Sequence, residues 1–263
     1  MERNIVNSLL RSSQAFCSEL SDKETLDYGI AFYSRRFAAL PEANQLREVW
    51  IEDPTEITVA FAQAEHWFTE HSVFCHRWAP AGGTASPQLA GFLEERGFCR
   101  RHMSALALQD WNEMPPAPQV RVLPARAMRA AFKQTYIEDG KPPNARLREL
   151  LAEAYVERLD DPQLDMFVAL VDKKPAGRAG LYQVGDIARI VDLTVLKGFE
   201  ETVVEGALLA QVLGLAKRLS FRKVLVQVDR DDQPRLASLA HAGFAPEGEI
   251  VEFERQAPAH FFS

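Results

Sequence analysis

"RKVLVQVDRDDQPRLASLAHAGF", residues 222 to 244, holds a strand and a short helix side by side. Residues 222–228 form an apolar, Val-rich run of strand length. Residues 233–244 open near Pro234 and close on Gly243-Phe244, the punctuation of a short helix with a glycine at its end. The first half of the chain closes in the same way. "SPQLAGFLEERGF", residues 86–98, shares a proline, then x-Leu-Ala, then a final Gly-Phe, with one residue of slip. An internal match of this kind suggests two copies of one α/β unit.

Working outward, "NEMPPAPQV" (residues 112–120) has three prolines in four residues and cannot continue a helix or a central strand. It reads as a linker, dividing the chain into a domain at 1–112, a linker at 113–118 and a domain at 119–263. Before it, residues 1–30 read as helical and 45–51 as a strand. Residues 53–71 form a helix opened by Asp53 as N-cap, Pro54 at the first helical position and Glu56 in a capping box. Residues 72–80 are a strand, 86–98 a short helix and 99–109 a strand. After the linker, 120–124 is a strand, and 126–138 and 144–158 are helices. Three strands fill 165–196, with turns at 172–177 and 184–186. A long helix then runs to about Leu219, followed by the elements of the opening stretch and a last strand at 248–255.

The 263 residues are 47% hydrophobic and 25% charged, with a net charge of -7. That balance predicts a globular core. An acidic chain is a poor candidate for non-specific nucleic-acid binding, which needs a basic face; the clusters Arg100, Arg101 and His102 and Lys217, Arg218, Arg222 and Lys223 read as solvated surface, so no nucleic-acid partner is expected. No apolar run reaches membrane-spanning length and the N-terminus lacks an apolar signal core, so no membrane association is expected. Cys17, Cys75 and Cys99 are too few and too scattered for a disulfide framework or a metal site, and a cytoplasmic location follows as the expectation. His66, His71 and His76 recur every five residues, which does not hold them on one helical face, so no metal is expected there.

Residues 119–256 resemble the GNAT (GCN5-related N-acetyltransferase) superfamily. "FVALVDKKPAGRAGLY" looks like its central hairpin. "VDLTVL" looks like the strand that runs into its cofactor loop, and the opening stretch like the strand and helix that follow. The first half resembles a truncated copy. The resemblance implies an α/β (α+β) fold of two tandem GNAT-like domains, each a mixed, mostly antiparallel central sheet flanked by helices. It also implies that the backbone of Leu193, Thr194 and Val195 pairs with the pantetheine arm of acetyl-CoA. The loop after that strand binds pyrophosphate in the family, with a Gln/Arg-x-x-Gly-x-Gly/Ala pattern that lets the backbone approach the anion.

Here the pattern falls on Glu200, Glu201, Thr202, Val203, Val204 and Glu205, with Gly206 following. Glutamate stands at the basic position, and valine and glutamate stand at the small ones. Three carboxylates beside a ligand of the same sign oppose binding by about 1–4 kcal/mol per close pair. The plain alternative is that acids suit the first turn of a helix. Asp232 matches the family's cofactor-holding Asn. Leu239, and Leu93 in the first half, match its acidic Tyr. Asp192 is the nearest candidate for a general base, and Tyr136 and Tyr182 are candidate proton donors. In the first half, "IEDPTEI" at the loop position has neither glycine nor a basic residue, and that half reads as structural.

The expectation is an acyl-CoA-dependent N-acyltransferase, with acetyl-CoA as cofactor and a small-molecule or peptide amine as partner. A homodimer is compatible with this reading. The alternative is a catalytically inactive GNAT-fold protein that binds another ligand or a protein. An open groove between residues 191–196 and 222–228 would favour the enzyme, and a filled one would favour lost binding.

Overall fold

Short helices with glycine stops, set between apolar strands, build both halves of the computed structural model, which describes residues 5–142 and 144–256. Contacts divide the chain into two compact units. The first takes the chain up to Ser104, Asp229–Asp231 and the strand residues from Gly248 onward. The second takes Ala105–Val228 and Asp232–Glu247. The division therefore does not follow the contiguous 1–112, 113–118 and 119–263 expected from the prolines. The end of the chain pairs into the first unit, and residues 113–118 lie within the second.

In the first unit α1 (Ile5–Ser18) is followed by β1 (Asp22–Leu26) and β2 (Gly29–Tyr33), an antiparallel hairpin. The continuous helix expected over residues 1–30 stops at Ser18. β1 shows four exposed residues in five, so it carries no apolar alternation that would mark it as a strand. β3 (Gln45–Val49) pairs antiparallel with β2 and parallel with β4 (Arg77–Pro80). Between them lies α2 (Ile57–Glu70), preceded by a single 3-10 turn in which the Asp53 side chain accepts from the Thr55 amide at 2.8 Å. α3 (Pro87–Glu95) leads into β5 (Cys99–Leu108). The far end of the last strand, β11 (Phe244–Glu254), pairs antiparallel with β4 through Phe253 and Trp78. Phe68, Trp78, Leu93, Phe98 and Phe253 fill this core.

The second unit orders its strands β10-β9-β8-β7-β6, where β6 is Val120–Pro124, β7 Leu164–Val171, β8 Lys174–Val184, β9 Ile187–Val195 and β10 Lys223–Asp229. All neighbours are antiparallel except β9 and β10. The β7–β8 turn uses Asp172 and Lys173, both at positive φ, as a two-residue hairpin of matching twist requires. α4 (Arg129–Asp139) and α5 (Ala145–Glu157) lie between β6 and β7, α6 (Glu201–Arg218) between β9 and β10, and α7 (Gln233–His241) between β10 and β11. α6 buries Leu208, Leu209, Val212 and Ala216 against Ala176, Ala179, Ile190 and Val224. Each large aliphatic residue removed from water there contributes roughly 2 kcal/mol.

The repeat is visible in three dimensions. α3 and α7 are both nine residues long, are capped by Ser86 and Asp232, and end before Gly97 and Gly243 at positive φ. Each unit has one parallel strand pair, and the first strand of each pair carries an acidic residue at positive φ: Glu48 at 53° and Asp192 at 52°.

Of the three histidines, His66 pairs with Glu70 at 3.2 Å and His71 stacks on Trp67. His76 is buried just before β4, and burial holds its pKa down at about 4. The unfolded chain takes up this proton near pH 6.5 and the folded chain only near pH 4, so acid favours unfolding between those values. Stability is expected to fall by on the order of 3 kcal/mol as pH drops from 6.5 to 4. His76→Gln should flatten that limb in urea titrations at stepped pH. An unchanged slope would refute the assignment.

Candidate functional site

β9 is the element that sets the site. It pairs with β10 only at Ile187, Ala188 and Arg189, and from Ile190 to Val195 it has no β10 partner. On its other side, Gly180 faces Val191 and Arg178 faces Thr194, so Asp192 and Leu193 stand opposite Ala179 alone. This is a β-bulge, and it re-aims the side chains around it. The first unit has the bulge but not the parting: β3 and β4 stay paired beyond Glu48, through Val49 and Pro80. Among the described residues, only the second unit therefore parts its bulged strand from its parallel neighbour.

The bulge turns Asp192 toward α4. Its Oδ2 accepts from Arg178 Nε at 2.7 Å and from the Tyr136 hydroxyl, and its Oδ1 accepts from Thr194 Oγ1 at 3.3 Å. Arg178 also donates to the Thr135 carbonyl and to Asp139, both at 2.9 Å, and lies 3.8 Å over the Tyr136 ring. Burial first, then the Asp192 charge, pushes the Tyr136 pKa far above its ordinary value. Tyr136 thus stays protonated and donates to Asp192, so it is a poor acid for a leaving thiolate. Tyr182 is fully buried, and its hydroxyl meets Gln163 at 3.3 Å. The geometry makes Asp192 the pin of the bulge.

The predicted cofactor positions do not share one environment. Glu201 and Thr202 lie exposed at the start of α6, and Val203 is partly exposed. Glu200 is the N-cap residue and makes no side-chain capping bond. Val204 and Gly206 are buried in the packing of α6, with Gly206 beside Met114. Leu193 and Glu205 meet through a residue that sequence reasoning missed, Arg235 of α7. Its Nη1 donates to the Leu193 carbonyl, its Nε lies 2.7 Å from Glu205 Oε2, and its Nη2 lies 3.7 Å from Glu201. Asp232 caps α7 by accepting from the Arg235 amide at 3.1 Å. Val195 stays paired with Gly177 of β8.

The expected row of three carboxylates facing the ligand is therefore corrected for Glu205. Its side chain is 3% exposed and points at Arg235. Burial raises its pKa, against the pull of Arg235 and of the Ser238 hydroxyl. The signal for Arg235 was present in the sequence. It precedes Leu239 by one helical turn, on the face of α7 that is buried, and its counterpart in the first copy is the buried Leu89.

The fit to acetyl-CoA is mixed but real. The parted strand leaves Leu193 and Val195 without a β10 partner, and the N-terminus of α6 has no side-chain cap. In the preceding loop Gly198, at φ 91°, is the single glycine. Among the described residues, no group of His, Cys, Asp and Glu could hold a metal, and no helix is long and apolar enough to cross a membrane.

No family model and no curated protein matches the sequence. Solved structures do match in shape. A functionally unknown conserved protein from Staphylococcus epidermidis superposes with a TM-score of 0.75 at 13% identity, covering 90% of this chain and 95% of its own. A GCN5-related N-acetyltransferase from Kribbella flavida gives 0.61 at 14% identity, covering 97% of each. One from Sphaerobacter thermophilus gives 0.59 at 18%, covering 87% of this chain and 76% of its own. This chain has the GNAT fold, and the likeness spans both units.

Proposed function

We propose that the protein is an acyl-CoA-dependent N-acyltransferase, acetyl-CoA being the expected donor, and that it works in the second unit. The observation that carries this reading is the parting of β9 from β10 at a bulge pinned by Asp192, in one copy of the repeat and not the other. A strand with a free edge offers carbonyls and amides to an extended ligand. Leu193, Thr194 and Val195 would hold the pantetheine arm, and the α6 amides at Glu201, Thr202 and Val203 would face the pyrophosphate.

The acceptor amine attacks the thioester carbonyl, the C–N bond forms, the C–S bond breaks, and CoA leaves as the thiolate. Asp192 and Asp139 are both bound to Arg178, and Leu239 is fully buried at the family's acid position. The amine proton therefore passes to water, and the amine must arrive neutral. Transfer to a panel of amines should rise with pH and level off at each amine's own pKa. A common inflection for all amines would instead reveal an enzyme base. Titration calorimetry with CoA tests the first step: no heat at millimolar CoA would remove the reading. It would leave the second one, a GNAT-fold protein without catalysis, which is favoured by the Arg235 bond to the Leu193 carbonyl.

A further inference from the structure

We propose that Arg235 is the cation that receives the phosphate of the acyl-CoA, with Glu205 as the residue that positions it; this rests on the acyl-CoA reading above. Glu200 stands at the loop's basic position with Glu201 beside it, and the loop's one cation, Lys197, is exposed at the β9 end, away from the start of α6. Arg235 reaches the same place from the opposite helix, because its guanidinium contacts both Glu201 and Glu205 at the start of α6.

The two edges of the guanidinium have different partners. The Nε edge is ion-paired at 2.7 Å with Glu205, a carboxylate sealed inside the unit, without the alignment of a hydrogen bond. The Nη edge holds the Leu193 carbonyl and, more loosely, the exposed Glu201. An amide N–H of the ligand can replace Arg235 at that carbonyl. The Nη groups are then released toward an anion while Glu205 keeps the head of the side chain in place. A ligand with both an amide and a phosphate satisfies the Leu193 carbonyl and the Nη groups together, and the exposed Glu201 turns to solvent. Arginine suits this use because its five donors lie in a rigid fork that matches phosphate oxygens. Glu205, in place of a small loop residue, thereby has a role: it orients the cation that compensates for the loop.

The test compares CoA with pantetheine, which lacks the phosphates, by calorimetry on the full chain. Arg235→Ala should weaken CoA about 10-fold or more and leave pantetheine unchanged or tighter. The Arg235→Ala/Glu205→Gln variant, which leaves no buried carboxylate unpaired, should behave in the same way. Added salt should weaken CoA more in the wild type than in either variant. Equal losses for both ligands would mean a structural role only and would overturn the proposal. Tighter CoA in both variants would mean that Arg235 merely blocks the groove; the proposal fails and the acyl-CoA reading stands. A wild-type chain that binds pantetheine but not CoA, or neither, overturns the proposal, and binding of neither removes the acyl-CoA reading as well.

Discussion

Arg178→Met is expected to destabilise the protein by about 3–5 kcal/mol, measured as a shift in the urea midpoint at unchanged slope. Arg178 is 3% exposed and binds Asp192, Asp139 and the Thr135 carbonyl at once. Removing it strands two carboxylates whose side chains are only 15% and 14% exposed, and the lost attraction is the smaller part of the damage. Arg178→Lys should recover little, because an ammonium cannot reach three acceptors from one planar fork. Arg178→Met with Asp192→Leu should recover more than Arg178→Met alone, since the stranded charge nearest the arginine is gone. A loss below about 1 kcal/mol for the single variant would show that water reaches the site and screens it. The same variant should also blunt CoA binding, because Asp192 holds the bulge that presents the Leu193 carbonyl.

The two glycines that end the repeated helices give the second large effect. Gly243 has φ 99°, and a Cβ there would lie 1.9 Å from the Asp110 carbonyl oxygen, which belongs to fixed backbone. The Gly243 carbonyl in turn accepts from the amides of Gln109 and Asp110, so that backbone cannot withdraw without losing its own bonds. Gly243→Ala is therefore expected to cost about 4 kcal/mol, from left-handed strain plus a clash that must push backbone aside. Gly97 has φ 82° with nothing within 4 Å of its would-be Cβ. Gly97→Ala should cost only about 1–2 kcal/mol, the conformational term alone. Thermal melts of the two variants measure the difference. Equal losses would show that the Asp110 segment yields.

Much of the fold is legible in the residues because its signals are local. Pro234 and Gly243, or Pro87 and Gly97, open and close a helix by fixing or freeing φ at single positions. The three strands between residues 164 and 195 announce themselves by apolar runs broken at turn residues. The hairpin of β1 and β2 was not legible, because β1 lies largely exposed and its sequence, DKETL, has no buried face to alternate with. A strand of that kind is held by its partner's backbone, which leaves no mark on side-chain pattern.

The candidate site was only half legible for the same reason. The strand, the glutamate-rich loop and the helix after it could be placed by counting, and so could the missing Tyr. Glu205 looked like a carboxylate facing the ligand. It is a buried partner of Arg235, thirty residues away in sequence and on another helix. What the sequence by itself determined is most of the elements, their order and their repetition, because those follow from propensity, periodicity and single-residue backbone constraints. Tertiary structure alone decided which copy opens its parallel strand pair, which carboxylates are neutralised by arginine, and which strand completes the first unit. Those depend on register and on pairs of buried charges, and the free energy of such pairs exists only once distant segments have excluded water from between them.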